Sequence, residues 1–182
     1  MKITFADLEL TEFVPADCRQ LYGIRNHPSV RRGMLRPEPI PYHSHREWVR
    51  GNLPDNPELL LFMVRQRSCR RAIGLTQLRL RDDIGEIGVM FRDPEQHPLP
   101  GAYATAVTLH LAFRRLHMRR IDSYVIPGHQ AAIRFNQSWG VVEVESDRPG
   151  LLKFILPAEV GLNNPAYLKI MDRIGSSLRF ED

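Results

Sequence analysis

Small residues stand at the start of a long amphipathic helix pattern, directly after two prolines. The stretch PLPGAYATAVTLHLAF covers residues 98–113. The first N–H groups of a helix have no partner within the helix, and small side chains at Gly101, Ala102 and Ala104 leave those groups open to a ligand. Peptide donors and the positive end of the helix dipole bind phosphate well. The pattern therefore predicts an anion site, while a plain glycine cap before a core helix is the structural alternative.

The charge and the cysteines limit the other kinds of chemistry. The net charge of +4 comes almost wholly from arginine, and the arginine clusters at 31–36, 65–71 and 113–120 carry no interleaved aromatic residues. We expect solvated faces there and no nucleic-acid partner. Cys18 and Cys69 lie far apart, in no metal-binding or redox spacing. We expect no metal site, no disulfide framework and a reducing, cytoplasmic location.

The N-terminal segment does not suggest export or insertion into a membrane. MKITFADLELTEF alternates apolar and charged residues, whereas a signal peptide has a continuous apolar run. No apolar stretch is long enough to span a bilayer. We expect no membrane partner.

Hydrophobic periodicity predicts the elements that must position these residues. Strands are expected at 3–10, 59–66, 72–81, 85–91, 121–126, 141–146 and 151–157, and helices at 15–27, 43–49, 101–116, 131–139 and 166–176. The last two strands flank a turn with Pro149 and Gly150 at its centre. The order predicts one α/β domain over residues 1–182, with a mixed antiparallel and parallel twisted sheet flanked by helices.

Residues 101–141 resemble the acetyl-CoA-binding half of the GNAT acyltransferase superfamily. In that superfamily a turn of the form Q/R-x-x-G-x-G/A opens a helix, and a strand, the motif P-G-N-x-x-A-I and a G-F pair follow. Here the later motif is Pro127, Gly128, His129, Ala132, Ile133, Gly140 and Val141. The sequence departs from the pattern at Leu99, where Gln or Arg is expected, at His129 in place of Asn, and at Asn136 in place of a tyrosine acid.

A second, upstream set of motifs is similar to a narrower group. The segments IRNHPSVRRGM (24–34), HREWV (45–49), AIG (72–74) and GEIGVMF (85–91) resemble the subgroup that acetylates a nucleotide-linked 4-amino sugar in pseudaminic acid synthesis. The two resemblances together cover about residues 15–156.

The resemblance implies acetyl-CoA as co-substrate, with no metal. The diphosphate would bind at Gly101, Ala102, Tyr103 and Ala104. The backbone of Val89, Met90 and Phe91 would pair with the pantetheine arm as an added strand does, with an amide near Met90 directed at the thioester carbonyl. The side chains of that strand would otherwise be ordinary core.

The resemblance also implies a general base, because an amine with a pKa near the lysine value of about 10.4 is mostly protonated at pH 7. Glu86 occupies the position where several members carry a catalytic glutamate, and it shares a strand face with Gly88 and Met90. A glutamate that faces solvent is the alternative. The departing thiolate could be protonated by His129 or by water, and Asn136 can only donate a hydrogen bond.

The acceptor side would be walled by Arg25, Asn26, His27, His45 and Trp48. Arginine suits a nucleotide diphosphate, and an indole can stack on a base or a sugar. Arg25 as a helix cap and Trp48 as core are the structural alternatives.

Three functions follow from these patterns. The first is an acetyl-CoA-dependent N-acetyltransferase that acts on a primary amine of a small molecule, with a nucleotide-linked amino sugar as the leading acceptor. The second is a protein N-terminal acetyltransferase of the ribosomal-protein type, and the third is a non-catalytic acyl-CoA-binding protein. A homodimer is expected as the assembly.

Overall fold

Strands and helices alternate along residues 1–53, 56–93 and 98–181, which are the residues that the computed structural model describes. The strands are β1 (Lys2–Phe5), β2 (Leu8–Glu12), β3 (Leu59–Gln66), β4 (Ala72–Arg81), β5 (Ile84–Phe91), β6 (Arg120–Val125), β7 (Val142–Val144), β8 (Leu152–Pro157) and β9 (Arg179–Glu181). The helices are α1 (Cys18–Arg25), α2 (Pro28–Arg31), α3 (Tyr42–Asn52), α4 (Pro98–His110), α5 (Gln130–Gln137), α6 (Ala158–Asn163) and α7 (Pro165–Ile174). Within these ranges no helix has the length and apolar content needed to cross a membrane.

All nine strands form one sheet in the order β7-β8-β6-β5-β4-β3-β2-β1-β9. Neighbouring strands run antiparallel except β5 and β6, which are parallel. The chain connects those two strands through α4. This arrangement confirms the predicted mixed sheet with flanking helices.

The parallel pairing between β5 and β6 is short. It joins Ile84 to Arg120, Gly85 to Ile121 and Glu86 to Asp122. β5 continues to Phe91 and β6 to Val125 without further pairing between them. The two strands therefore separate beyond Glu86 and leave a wedge-shaped opening in the sheet, which we call the gap.

Both faces of the sheet are covered, so its central strands are apolar on both sides. On one face, Phe62 and Val64 of β3 pack with Val107 of α4 in a fully buried cluster. On the other face, Met63 of β3 packs in a second cluster with Leu21 of α1. The continuous apolar run LLLFMVRQ in β3 reflects this double burial.

The N-terminal strand prediction is corrected by the structure. Instead of one strand at 3–10, β1 and β2 form an antiparallel hairpin in which Phe5 pairs with Leu8. Ala6 at the turn has a φ of 46°, in the left-handed region. The slip in the apolar alternation at this point marks the turn, because a reversal interrupts the two-residue period.

Two C-terminal elements were missed, and one turn was predicted correctly. α6 and β9 do not appear among the predicted elements, and β9 is a three-residue edge strand that pairs with β1. The hairpin of β7 and β8 is confirmed. Its turn is closed by the N–H of Leu151, which donates to the carbonyl of Arg148, and Gly150 has a φ of 78°, which favours glycine.

Asn164 caps α7, and its replacement by alanine is expected to lower the free energy of unfolding by about 1 kcal/mol. Its Oδ1 accepts hydrogen bonds from the N–H groups of Ala166 and Tyr167 at 2.8 and 3.2 Å. Chemical denaturation would measure the change. Asn163→Ala is the matched control, because Asn163 is exposed and caps no helix start. Equal losses in the two variants would contradict the capping role.

Stability is expected to fall as the pH drops below about 6.5, the ordinary pKa of histidine. Burial lowers the pKa of His45, which is 2% exposed between α1 and α3. The unfolded chain then takes up a proton at a pH where the folded protein does not, which favours unfolding. The free energy of unfolding, measured between pH 7.5 and 5.5, should depend less on pH in His45→Gln. The exposed His43 provides the control, and His43→Gln should keep the wild-type slope.

Candidate active site

A cleft of about 1110 Å³ runs through the gap between β5 and β6. Its walls come from those two strands, from α2 on one face of the sheet, and from α4 and α5 on the other side. Glu86, the last β5 residue that is paired with β6, lies at the point where the gap begins. A ligand that fills the gap therefore ends beside this carboxylate.

The register of β5 with β4 determines which peptide groups of β5 face the gap. The N–H of Arg92 donates to the carbonyl of Ile73 at 3.0 Å, so residues 84, 86, 88 and 90 direct their peptide groups towards β4. Val89 and Phe91 direct theirs into the gap, where an extended ligand could add as a strand. The peptide group of Met90 faces Leu75 of β4. An amide near Met90 that meets the thioester would therefore be that of Val89 or Phe91, while the Met90 side chain lines the cleft.

The start of α4 differs from its prediction in a way that changes the donors. The helix begins at Pro98, three residues before Gly101, and the prolines at 98 and 100 have no N–H. The N–H groups of the first described turn therefore belong to Leu99 and Gly101. Pro98 and Gly101 both line the cleft.

The other three residues predicted at this turn lie further inside the helix. The N–H groups of Ala102, Tyr103 and Ala104 fall one turn after Pro98, where they bond to helix carbonyls, so they are not the predicted phosphate donors. Ala104 is completely buried, and the Tyr103 hydroxyl accepts a hydrogen bond from Arg173 at 3.2 Å. Of the four predicted residues, only Gly101 lines the cleft.

Glu86 forms a bidentate ion pair with Arg148. The Nη1 of Arg148 donates to Oε1 at 2.8 Å, and its Nη2 donates to Oε2. The Glu86 side chain is 17% exposed and projects to the face of the sheet that α1 to α3 cover, because Met90 on the same strand face packs in that cluster. Both carboxylate oxygens are thus occupied in this structure, so a base role requires Arg148 to release one of them.

Arg148 is in turn supported by β6 and by its own turn. Its guanidinium lies 3.8 Å from the centre of the Tyr124 ring, and the ion pair with Glu86 raises its pKa. The Tyr124 hydroxyl donates to Asp147 at 2.8 Å, and burial, the largest cause, raises the pKa of Tyr124. Lys153 bridges Asp147 and the buried Asp122. These contacts link Glu86 through Arg148, Tyr124 and Asp147 to Lys153 and Asp122.

His129 and Asn136, the other two predicted catalytic residues, both line the cleft. The Nδ1 of His129 accepts a hydrogen bond from the N–H of Ala132 at 3.2 Å, so the neutral ring carries its proton on Nε2, beside Gly33. Asn136 accepts from the Ser123 hydroxyl at 2.8 Å and donates to the carbonyl of Ala132. One amide hydrogen of Asn136 is left to donate, which agrees with a donor and not an acid.

The residues predicted for the acceptor side do not line the cleft themselves. None of Arg25, Asn26, His27 and Trp48 is among its lining residues. Asn26 exchanges two hydrogen bonds with the backbone of Ile40, and His27 lies 3.6 Å from Asp93. The Arg25 guanidinium lies 4.6 Å from the centre of the Trp48 ring, and Trp48 packs against a buried hydrophobic cluster, as the core alternative for Trp48 predicts.

Arg148, Tyr124 and Arg32 line the cleft and were not identified from the sequence. For Tyr124, the alternation of side chains along the predicted strand 121–126 could have indicated its position. Parallel pairing of Glu86 with Asp122 places Tyr124 on the face that Glu86 occupies, two residues along β6. For Arg148 no local signal exists, since its contact spans 62 residues of sequence.

A sheet that opens between two parallel strands, with a helix start and a carboxylate at the opening, defines an enzyme of the acyl-CoA-dependent acyltransferase class. The family model described as "Acetyltransferase (GNAT) domain" matches residues 7–142, and the chain belongs to this family. It is therefore an N-acetyltransferase that uses acetyl-CoA. No curated protein matches the sequence significantly.

Solved structures support the same fold. A spermidine N-acetyltransferase from Vibrio cholerae, in complex with CoA and spermine, matches with a TM-score of 0.70 and 19% identity, over 86% of this chain and 99% of that one. A domain from Methanocaldococcus jannaschii matches with a TM-score of 0.71 and 14% identity, over 85% and 99%. At this identity the likeness concerns the fold. Among the described residues, no three His, Cys, Asp or Glu side chains are grouped so as to hold a metal ion.

Proposed function

We propose that this protein transfers the acetyl group of acetyl-CoA to a primary amine of a small molecule, with residues 1–182 acting as one acyltransferase domain. The observation that carries the proposal is the position of Glu86 where the gap begins. The pantetheine arm would pair with Val89 and Phe91, and the diphosphate would bind at the N–H groups of Leu99 and Gly101. The thioester then reaches the Glu86 carboxylate.

The proposed acetyl transfer uses three side chains of the cleft, those of Glu86, His129 and Asn136. Glu86 takes a proton from the acceptor ammonium, and the neutral amine nitrogen attacks the thioester carbon. As the N–C bond forms and the C–S bond breaks, the attacking nitrogen gives up its second proton to water, and the CoA thiolate leaves and takes a proton from water or from His129 in its protonated form. The remaining amide hydrogen of Asn136 can stabilise the leaving sulfur. In this scheme His129 and Asn136 assist departure, and Glu86 activates the nucleophile.

The shape of the cleft favours a small acceptor over a protein chain. α2 covers it on the Glu86 side, where Gly33 lies close to the His129 ring across the opening. A protein terminus would need an open groove, often an acidic one to receive basic residues. The carboxylate of Glu86 already has an arginine partner. The proposed acceptor is a nucleotide-linked amino sugar, as the upstream motifs imply.

A thiol-release assay with a panel of amines tests the proposed function, combined with calorimetry of CoA binding. We expect saturable CoA binding and amine-dependent thiol release. CoA binding without release from any amine would favour the non-catalytic alternative, and no CoA binding by folded protein would contradict both. The homodimer and the cytoplasmic location stay predictions from the sequence.

A further inference from the structure

We infer that the acceptor carries an anionic group, a carboxylate or a phosphate, next to the amine that is acetylated, and that Arg148 binds this group. The inference rests on the proposed function and names the class of its acceptor. It predicts that amines bearing an anion are preferred over neutral amines, and that amines with a second positive charge are rejected.

The first observation is that the Glu86 carboxylate is not free to receive an ammonium group. Both of its oxygens accept hydrogen bonds from the guanidinium of Arg148. A partly buried carboxylate and guanidinium are costly to separate, because each is left without its charged partner. A substrate that replaces only one of the two charges must therefore leave the other uncompensated.

An acceptor with both charges avoids this cost. Its ammonium group can pair with Glu86 while its anionic group pairs with Arg148, so two ion pairs replace one. The planar guanidinium suits both carboxylate and phosphate, because its N–H groups form paired bonds to either group. This exchange also frees a Glu86 oxygen to take the proton from the amine.

The second observation is that the backbone of Arg148 is fixed while its side chain is partly exposed, as binding the anionic group of an acceptor requires. The hydroxyl of Ser146 bonds to both the N–H and the carbonyl of Arg148, which fixes the backbone of the turn. The guanidinium rests on the Tyr124 ring, and 34% of the side chain is exposed. The side chain can therefore shift from Glu86 to a ligand in the cleft while the backbone stays in place.

The third observation concerns the remaining charges of the cleft. Its described lining holds two carboxylates, Glu86 with its arginine and Asp93 beside His27. It also holds Arg32, which forms no ion pair with any residue in the described ranges. Among the described lining residues, a polyamine would thus meet no carboxylate without a basic neighbour, whereas an anionic acceptor would meet a second guanidinium.

The test compares four three-carbon amines that differ in one terminal group: 3-aminopropyl phosphate, β-alanine, 3-aminopropanol and 1,3-diaminopropane. We expect kcat/KM to be about 10- to 100-fold higher for at least one anionic amine than for 3-aminopropanol, as for a hydrogen-bonded charge pair. Diaminopropane should be the poorest acceptor. The phosphate and carboxylate arms show which anion the site takes.

Variants at Arg148 separate recognition from a structural role. Arg148→Gln should lower the ratio of kcat/KM for the anionic amine to kcat/KM for 3-aminopropanol by about 10-fold or more. Arg148→Lys should retain part of the preference for the anionic amine, because the positive charge remains. Arg119→Gln is the matched control, since Arg119 pairs with Asp83 on an exposed surface and does not line the cleft.

Several outcomes would overturn the inference. Equal rates for the four amines would do so, as would a preference for diaminopropane or an equal slowing of all four by Arg148→Gln. CoA binding with no turnover of any probe also counts against it. Failure to bind CoA is a different result, because it would contradict the proposed function itself. Circular dichroism of each variant confirms that the fold is retained.

Discussion

Glu86→Gln is expected to lower kcat for amine acetylation by about 10²- to 10⁴-fold at pH 7, the contribution of a general base. Glutamine has nearly the same shape and can still accept one hydrogen bond from Arg148, but it cannot take a proton from an ammonium group. Glu86 lies where β5 and β6 separate, so its loss should affect the chemical step more than the binding of CoA. Steady-state kinetics together with CoA calorimetry would measure both.

The pH dependence of this variant distinguishes a base from a residue that only shapes the site. As the pH rises towards the pKa of the free amine, about 10.4 for a lysine-type amine, solvent removes the proton that Glu86 would have taken. The difference in kcat between the wild type and Glu86→Gln should therefore become smaller at high pH. Glu143→Gln is the control, because Glu143 is exposed on β7 and does not line the cleft. A constant deficit across the pH range, or an unchanged kcat, would argue against the base role.

Gly101→Trp is expected to weaken CoA binding by about 100-fold or more, as the loss of charge-assisted phosphate bonds implies. A Cβ added at this position has, among the described residues, the Phe91 ring as its nearest neighbour at 3.8 Å, and Gly101 lines the cleft. The helix can accommodate the substitution, since Gly101 has no positive φ. The indole would cover the N–H groups of Leu99 and Gly101. Calorimetry with CoA measures the effect.

A tryptophan elsewhere provides the comparison. Gly51 is exposed in α3 and has no described residue within 4 Å of an added Cβ, so Gly51→Trp adds the same side chain outside the cleft. It should bind CoA as the wild type does. Normal CoA affinity in Gly101→Trp would place the diphosphate away from the start of α4, and the role of that turn would have to be abandoned.

The sequence by itself determined the order of most elements, the mixed sheet and the family. These depend on local signals: the apolar run of β3, the Pro149–Gly150 turn and the helical spacing after Gly101 act over a few residues. The sequence also identified Gly101 as a cleft residue and Glu86 as the carboxylate at the gap. Where the local signal was weak, as at Ala6 and in the three-residue β9, the prediction failed.

The start of α4 shows how a local rule can mislead. The spacing predicts a helix from residue 101, after the two prolines, yet Pro98 and Pro100 lie in the first turn of the helix. Proline is tolerated there because the first N–H groups have no partner within the helix. Of the predicted residues 101–104, only Gly101 therefore lies in the first described turn.

Only the tertiary structure decided how the site is charged. The register of β4 with β5 directs the Met90 amide away from the gap, and the packing of α1 against α3 places Arg25 and Trp48 together outside the cleft. Arg148 reaches Glu86 across 62 residues of sequence. Such contacts depend on how far strands diverge and which turn ends beside them, and these are properties of the assembled sheet that no short stretch of sequence contains.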